Sequence, residues 1–234
     1  NSQSPVNFLS VLTPWPTLRL DWEQYTDPLI RNCYIGLIPL VFLIAFIRLR
    51  GKKTFLQYFL SGTLIFFLLF SLGKAGGLRV LTYYTLPLMD SFRHPANAKL
   101  FFLFAAQLLA FLAIDKYLKD PLPYQPAVFR TTNVLLIITG LLMITGLVKS
   151  RLFLLTTAIV KGSDRTALKN FYDSIRFSDF LFLNAAIAFT TLLVLRWVLK
   201  KHKLQRFLLP VLCAEMILIA QFMIPLTYFR TYSP

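Results

Sequence analysis

Six stretches of this 234-residue chain run for 15 to 23 residues with almost no charge, and this constrains the fold more than any other feature. They are Asn32–Ile47, Thr54–Gly73, Leu100–Ile114, Thr131–Val148, Phe180–Leu195 and Phe207–Phe229. A bilayer core of about 30 Å takes about 20 helical residues to cross. The second and sixth stretches reach that length alone. The first, third and fifth reach it when Arg31, Arg48, Lys99, Lys116 and Arg196 extend their charged heads to the interfaces. Beyond Lys149 and Arg151 the chain is apolar again to Val160, which reads as a piece lying in the interface. The expected fold class is therefore all-α: a polytopic transmembrane helical bundle of about six spans with outer interfacial helices. Residues 1–31 read as an outer loop segment and 32–229 as the transmembrane helical domain, with spans near 32–47, 54–73, 95–116, 131–148, 180–199 and 207–229. Residues 230–234 read as the start of an outer C-terminal segment.

Composition excludes the alternatives. Hydrophobic residues make up 56% of the chain, charged residues 15%, and Phe alone occurs 23 times. Soluble domains hold about 45–50% apolar and about 25% charged residues. Disorder is excluded by the apolar content, and a coiled coil by the shortage of Glu and Lys. The net charge of +15 then faces lipid and phosphate, with no nucleic acid as partner. Cys33 and Cys213 both lie in apolar stretches, where a secreted disulfide framework would not place them. Asn1–Pro5 reads as the middle of a longer membrane protein, so no targeting inference is drawn from it.

Orientation follows from the cations. Twelve of the 25 Lys and Arg fall in three short connections, 48–53, 115–130 and 196–206, which total 33 residues. The other thirteen are spread over 94 residues of the opposite side, so the dense set is expected to be cytoplasmic and both chain ends outside. Acidic residues agree, since Asp115 and Asp120 fall inside and seven others outside.

The outer segments carry what chemistry there is. Between the second and third spans, Ser71–Leu100 is too apolar for a solvated loop, and Leu78–Met89 reads as a short helix among the headgroups with Tyr83 and Tyr84 as interfacial aromatics. Pro95 suits a first helical turn, so the third span is expected to start there with Arg93 beside its positive dipole end. Free N–H groups next to a guanidinium form a phosphate-binding arrangement, on which Lys74, Arg79 and Lys99 could converge. Snorkelling to lipid headgroups explains Arg93 and Lys99 equally, and is the commoner role of cations at span ends. The Gly73–Gly77 run reads as a flexible exit from the second span. Val160–Asp179 alternates in charge sign beside Phe171, Tyr172, Ile175 and Phe177, the pattern of an amphipathic surface helix.

Asp21, Glu23 and Asp27 are candidates for a divalent cation or a general base, and also for solvated charges paired with Arg19 and Arg31. Inside the spans, Glu215, Gln221 and Asn184 are the polar candidates. An intramembrane carboxyl costs about 2.5–3.5 kcal/mol on insertion. Hydrogen bonding of Glu215 to Thr190 or Thr191, with all three polar residues as interhelical glue, accounts for them without a proton relay. The two histidines, His94 and His202, fall on opposite sides of the membrane, so no histidine metal site is expected. No Walker loop, GxGxxG or HExxH motif is present.

The order Thr26-Asp27, Arg31-Asn32-Cys33-Tyr34-Ile35-Gly36-Leu37, Ser71-Leu72-Gly73, Leu86-Pro87 and Phe92-Arg93-His94-Pro95-Ala96, with Ala214-Glu215 and Pro225-Leu226-Thr227 in the tail, resembles the YfhO-like family of bacterial membrane proteins. That family is itself similar to GT-C-type glycosyltransferases. The resemblance covers most of residues 8–115 and is patchy from 116 to 205. It implies a multi-pass protein of the bacterial cytoplasmic membrane that transfers a sugar from a polyprenyl-phosphate carrier to a cell-envelope glycan acceptor on the outer face. It implies that Arg93 binds the lipid phosphate, assisted by Arg31, Lys99, Lys74 and Arg79, and that Asn32, His94 and Asn97 line the substrate pocket. Asp27 would contact the sugar or a metal. The family's usual catalytic Asp lies in an earlier outer loop, so this chain is expected to lack it. No cofactor is expected here beyond a divalent cation in the complete protein. His94 departs from the family pattern at its position. A transporter or flippase of a lipid-linked anion, and a structural membrane domain, are the alternatives.

Overall fold

The computed structural model describes residues 10–14, 32–49, 53–73, 75–85, 95–150, 177–201 and 207–230, with the backbone alone at 95, 96, 177 and 220–230. Among the described residues the protein is all-helical, with seven α-helices and no strand. The chain divides into two compact units, Asn1–Val11 with Arg19–Thr131, and Leu12–Leu18 with Thr132–Pro234.

The first unit holds α1 (Leu37–Arg48), α2 (Phe55–Ser71), α3 (Leu78–Thr85), α4 (Lys99–Lys119) and the opening turns of α5 (Gln125–Lys149). A capping box starts α2: the Gln57 N–H donates to Thr54 Oγ1 at 3.4 Å and the Thr54 N–H donates to Gln57 Oε1 at 3.0 Å. Two orphan donors of the first turn are thereby satisfied. After α2, Gly73 takes a φ of 61°, a left-handed conformation that stops the helix, so the glycine there sets a defined turn.

α4 is the hub and packs against both α1 and α2. The Phe67 and Phe101 rings stack 4.8 Å apart near its start, and Lys116 meets Gln57 near its end, so α2 and α4 run antiparallel. Contacts from Asn32 to Lys99, Ile35 to Gln107 and Phe42 to Tyr117 advance together, so α1 and α4 run parallel. The face that α4 buries carries Ala105, Ala106, Ala110 and Ala113, while Leu100, Phe101, Phe104 and Phe111 point outward. Phe104 is 64% exposed and its neighbour Ala105 1%. Small residues inward let backbones approach closely, and large apolar ones outward are the membrane arrangement.

In the second unit, α5 continues from Thr132 and is joined by α6 (Phe177–Lys200) and α7 (Leu208–Arg230). α5 and α6 cross antiparallel at close range. A Cβ on Gly146 would lie 2.7 Å from the Phe182 nitrogen, and one on Gly140 3.5 Å from the Phe189 ring. Their shared end is tied by Ser178 Oγ donating to the Lys149 carbonyl at 3.0 Å and Ser150 Oγ donating to Asp179 at 2.7 Å.

Three helices, Lys99–Lys119, Gln125–Lys149 and Ser178–Lys200, are long and apolar enough to cross a membrane. Their boundaries differ from hydropathy where polar residues join a helix. α5 starts at Gln125, six residues before Thr131, and takes in Gln125 and Arg130. α6 starts at Phe177 and includes Asp179, expected in the preceding surface helix; a carboxylate in a first turn favours the helix dipole. α1 starts at Leu37, because residues 32–36 are non-helical. α4 is preceded by a 3-10 turn, Pro95–Ala98, at the expected proline start. The expected interfacial piece at 151–160 and the amphipathic segment from 160 to 176 lie outside the described residues.

Gly146→Ala is expected to lower stability by about 1–3 kcal/mol, because backbone must move. Gly62→Ala on α2, where nothing lies within 4 Å of an added Cβ, is expected to raise it by up to about 1 kcal/mol. Thermal unfolding of the two variants in detergent checks the opposite signs.

Candidate functional site

The segment before α1 is non-helical, and part of its conformation is encoded locally. The Tyr34 N–H donates to Asn32 Oδ1 at 3.1 Å, an Asx-type turn. Gly36 holds a φ of 92° at the N-cap of α1, which a side-chain-bearing residue adopts only with strain. Its carbonyl still accepts the first helical bond, from Leu40 N–H at 3.1 Å.

Buried backbone outside a helix must find partners elsewhere. The Cys33 N–H donates to Ser10 Oγ at 2.8 Å, with both residues fully buried. The Asn32 carbonyl accepts from Lys99 Nζ at 3.0 Å, and the Ile35 carbonyl accepts from Gln107 Nε2 at 2.9 Å. Lys99 and Gln107 are about 12 Å apart along the helix. One side of α4 thus straps the entry segment in two places.

Lys99, the first residue of α4, is 6% exposed. Cations are normally favoured at helix C-termini, and a helix start disfavours one by about 0.3–1 kcal/mol. The carbonyl of Asn32 offsets part of that cost.

Of the candidates for the phosphate and substrate pocket, Asn32 and Lys99 meet directly. Asn97 is exposed in the 3-10 turn immediately before Lys99. Arg79 lies in α3, which packs on α2, and its carbonyl accepts from Thr82 Oγ1 at 3.0 Å. Asp27, Arg31, Lys74, Arg93 and His94 lie outside the described residues. Ser10 and Gln107 were not legible as site residues. Gln107 had one signal: it is the lone carboxamide within an apolar stretch.

In the second unit, an open groove of about 400 Å³ between α6 and α7 is lined by Thr190, Thr191, Val194, Val211 and Glu215 among others. Glu215 is 1% exposed, so the carboxyl and the two threonines expected to pair with it share one depression. The Asn184 Nδ2 donates to the Pro14 carbonyl at 3.1 Å, tying the 12–14 segment to α6, while its Oδ1 is buried without a partner. The side chain of Gln221 lies outside the described residues. Among the described residues no group of three His, Cys, Asp or Glu is placed to hold a metal ion.

Comparison of the chain with protein-family models, with curated proteins and with solved structures finds no match.

Lys99→Met keeps the apolar stem and removes the donor, and Gln107→Leu does the same one strap further on. Each is expected to cost about 1–3 kcal/mol, the penalty for a buried carbonyl left unpaired. Thermal unfolding in detergent reads the loss, and an unchanged midpoint in both would show that the straps do not hold the segment.

Proposed function

We propose that this chain is the membrane-embedded helical part of a GT-C-like glycosyltransferase, crossing the bilayer about six times with α3 among the outer headgroups. The outward-facing Phe and Leu of α2 and α4 support the membrane placement, because water would penalise so much exposed apolar surface. In this reading the entrance to α4 receives the phosphate of a polyprenyl-phosphate-linked sugar, and the sugar passes to a cell-envelope acceptor on the outer face.

The observation that carries the reading is the buried ammonium of Lys99 at the start of α4, only six residues after Arg93. Arg93 supplies a bidentate guanidinium for the phosphate, with Arg31, Lys74 and Arg79 contributing charge around it. Lys99 acts through Asn32: it fixes the entry segment and adds potential without reaching the ligand itself. Asn32, His94 and Asn97 line the pocket, and Asp27 meets the sugar or a divalent cation. The cation-dense connections lie on the cytoplasmic side.

A second reading, a transporter of a lipid-linked anion, is favoured by one feature. Residues 32–36 are non-helical, with Cys33, Ile35 and Gly36 buried, and transporters line their sites with buried non-helical backbone.

In the complete protein, Arg93→Ala is expected to lower sugar transfer by about a hundredfold or more, comparable to removing one donor to developing charge. Membrane insertion, judged by resistance to alkaline carbonate, should persist. Retained transfer would remove Arg93 from the reaction. Movement of the lipid-linked anion across vesicles without sugar transfer would establish the second reading instead.

A further inference from the structure

A hydroxyl inside a helix commonly turns back to the carbonyl one turn earlier. Ser61, Thr63, Thr85, Thr139 and Thr145 all do so, each donating to the residue four before it at 2.7 to 2.9 Å. Thr190 and Thr191 of α6 do not. Both line the groove between α6 and α7, and neither side chain makes a hydrogen bond among the described residues. Thr191 is only 8% exposed. A polar side chain so deeply buried is normally paired, and within a bilayer no water is at hand to pair it.

Glu215 faces the same depression and is 1% exposed. Its two oxygens offer about four acceptor positions, so the interaction it already has leaves room for another. The groove thus gathers one carboxyl and two hydroxyls, all able to accept. Its other walls are apolar. From Ile187 to Val194 on α6, and from Val211 to Leu218 on α7, each wall runs about 10 Å, around a space of about 400 Å³. A largely apolar space of this size with a few convergent polar groups suits a small amphiphile.

The polar group of that amphiphile follows from the acceptors. A primary ammonium carries three N–H donors and no acceptor, one donor for each oxygen-bearing side chain. Its charge is the one a carboxylate favours where the dielectric is low. An alcohol would bring a donor without the charge, a quaternary ammonium the charge without donors, and an anion would be repelled. We infer that this groove binds a lipophilic primary amine, its ammonium among Glu215, Thr190 and Thr191 and its hydrocarbon along the apolar walls. The inference rests on the membrane reading alone and uses none of the residues assigned to sugar transfer.

Calorimetric titration of the full chain in phosphatidylcholine nanodiscs with n-octylamine, an alkylammonium at pH 7, tests it, with empty nanodiscs giving the partition into lipid. Saturable binding above that background is expected. Octanol and octyltrimethylammonium should each bind about tenfold more weakly or worse. Glu215→Gln is expected to weaken octylamine binding about tenfold or more, and Thr190→Val and Thr191→Val about threefold to tenfold each. Thr190 is exposed, so Thr190→Val reports even if Glu215→Gln perturbs folding. Ala186→Leu, which narrows the groove and keeps the three polar side chains, should also weaken binding. Thr145→Val should leave it unchanged, because that hydroxyl is satisfied within its own helix. Absence of saturable binding, equal binding of octanol, or undiminished binding in Thr190→Val would overturn the site. Equal binding of octyltrimethylammonium would show charge attraction without the three donors, and would overturn it too. A chain extracted by alkaline carbonate would sink the membrane reading itself; one that resists extraction without preferring octylamine would sink only this site.

Discussion

A backbone carbonyl packed among apolar helices has no water to bond, so wherever the chain is not helical something else must reach it. In the first unit that need arises at Asn32–Ile35, and α4 meets it with Lys99 and Gln107. The two bonds fix the height of α1 against α4 and force the pair to run parallel. The register they set then brings Phe42 against Tyr117, and Phe46 beneath Lys116. Because α4 also packs along α2, displacing the straps would disturb both of its partners.

The two ends of this unit handle positive charge differently. At one end a single ammonium is drawn inside and spent on a neutral carbonyl. At the other, Lys53 and Lys116 stay half-buried on an aromatic ring, and the exposed Lys119–Asp115 pair beside them contributes about 0–1 kcal/mol. Most cohesion comes from elsewhere. The alanine face of α4 and Gly146 in the second unit allow helices to meet at backbone distance, where many small dispersion contacts accumulate.

Much of the helical content was legible, because an uninterrupted apolar run long enough to cross a bilayer has few other solutions. A helix occupies part of each of the six apolar stretches, and α3 falls within the 78–89 segment. What hydropathy could not see was polar residues inside helices and apolar residues outside them. Arg130 belongs to α5 although it precedes the apolar run. Cys33 and Ile35 are apolar yet lie outside the helix, held by Gly36 and by donors from a helix some seventy residues on. For the site, Lys99 was expected beside a lipid phosphate and Asn32 in a substrate pocket. The sequence could not show that their first bond is to each other. Ser10 was invisible, because a hydroxyl twenty-three residues from its partner leaves no periodic trace.

The seal over Cys33 has a chemical corollary. Cys33 has no exposed surface and its N–H is held by the Ser10 hydroxyl, whereas Cys213 is exposed on α7. Access to the Cys33 thiol is thus tied to how closely Ser10 and α4 hold the segment before α1.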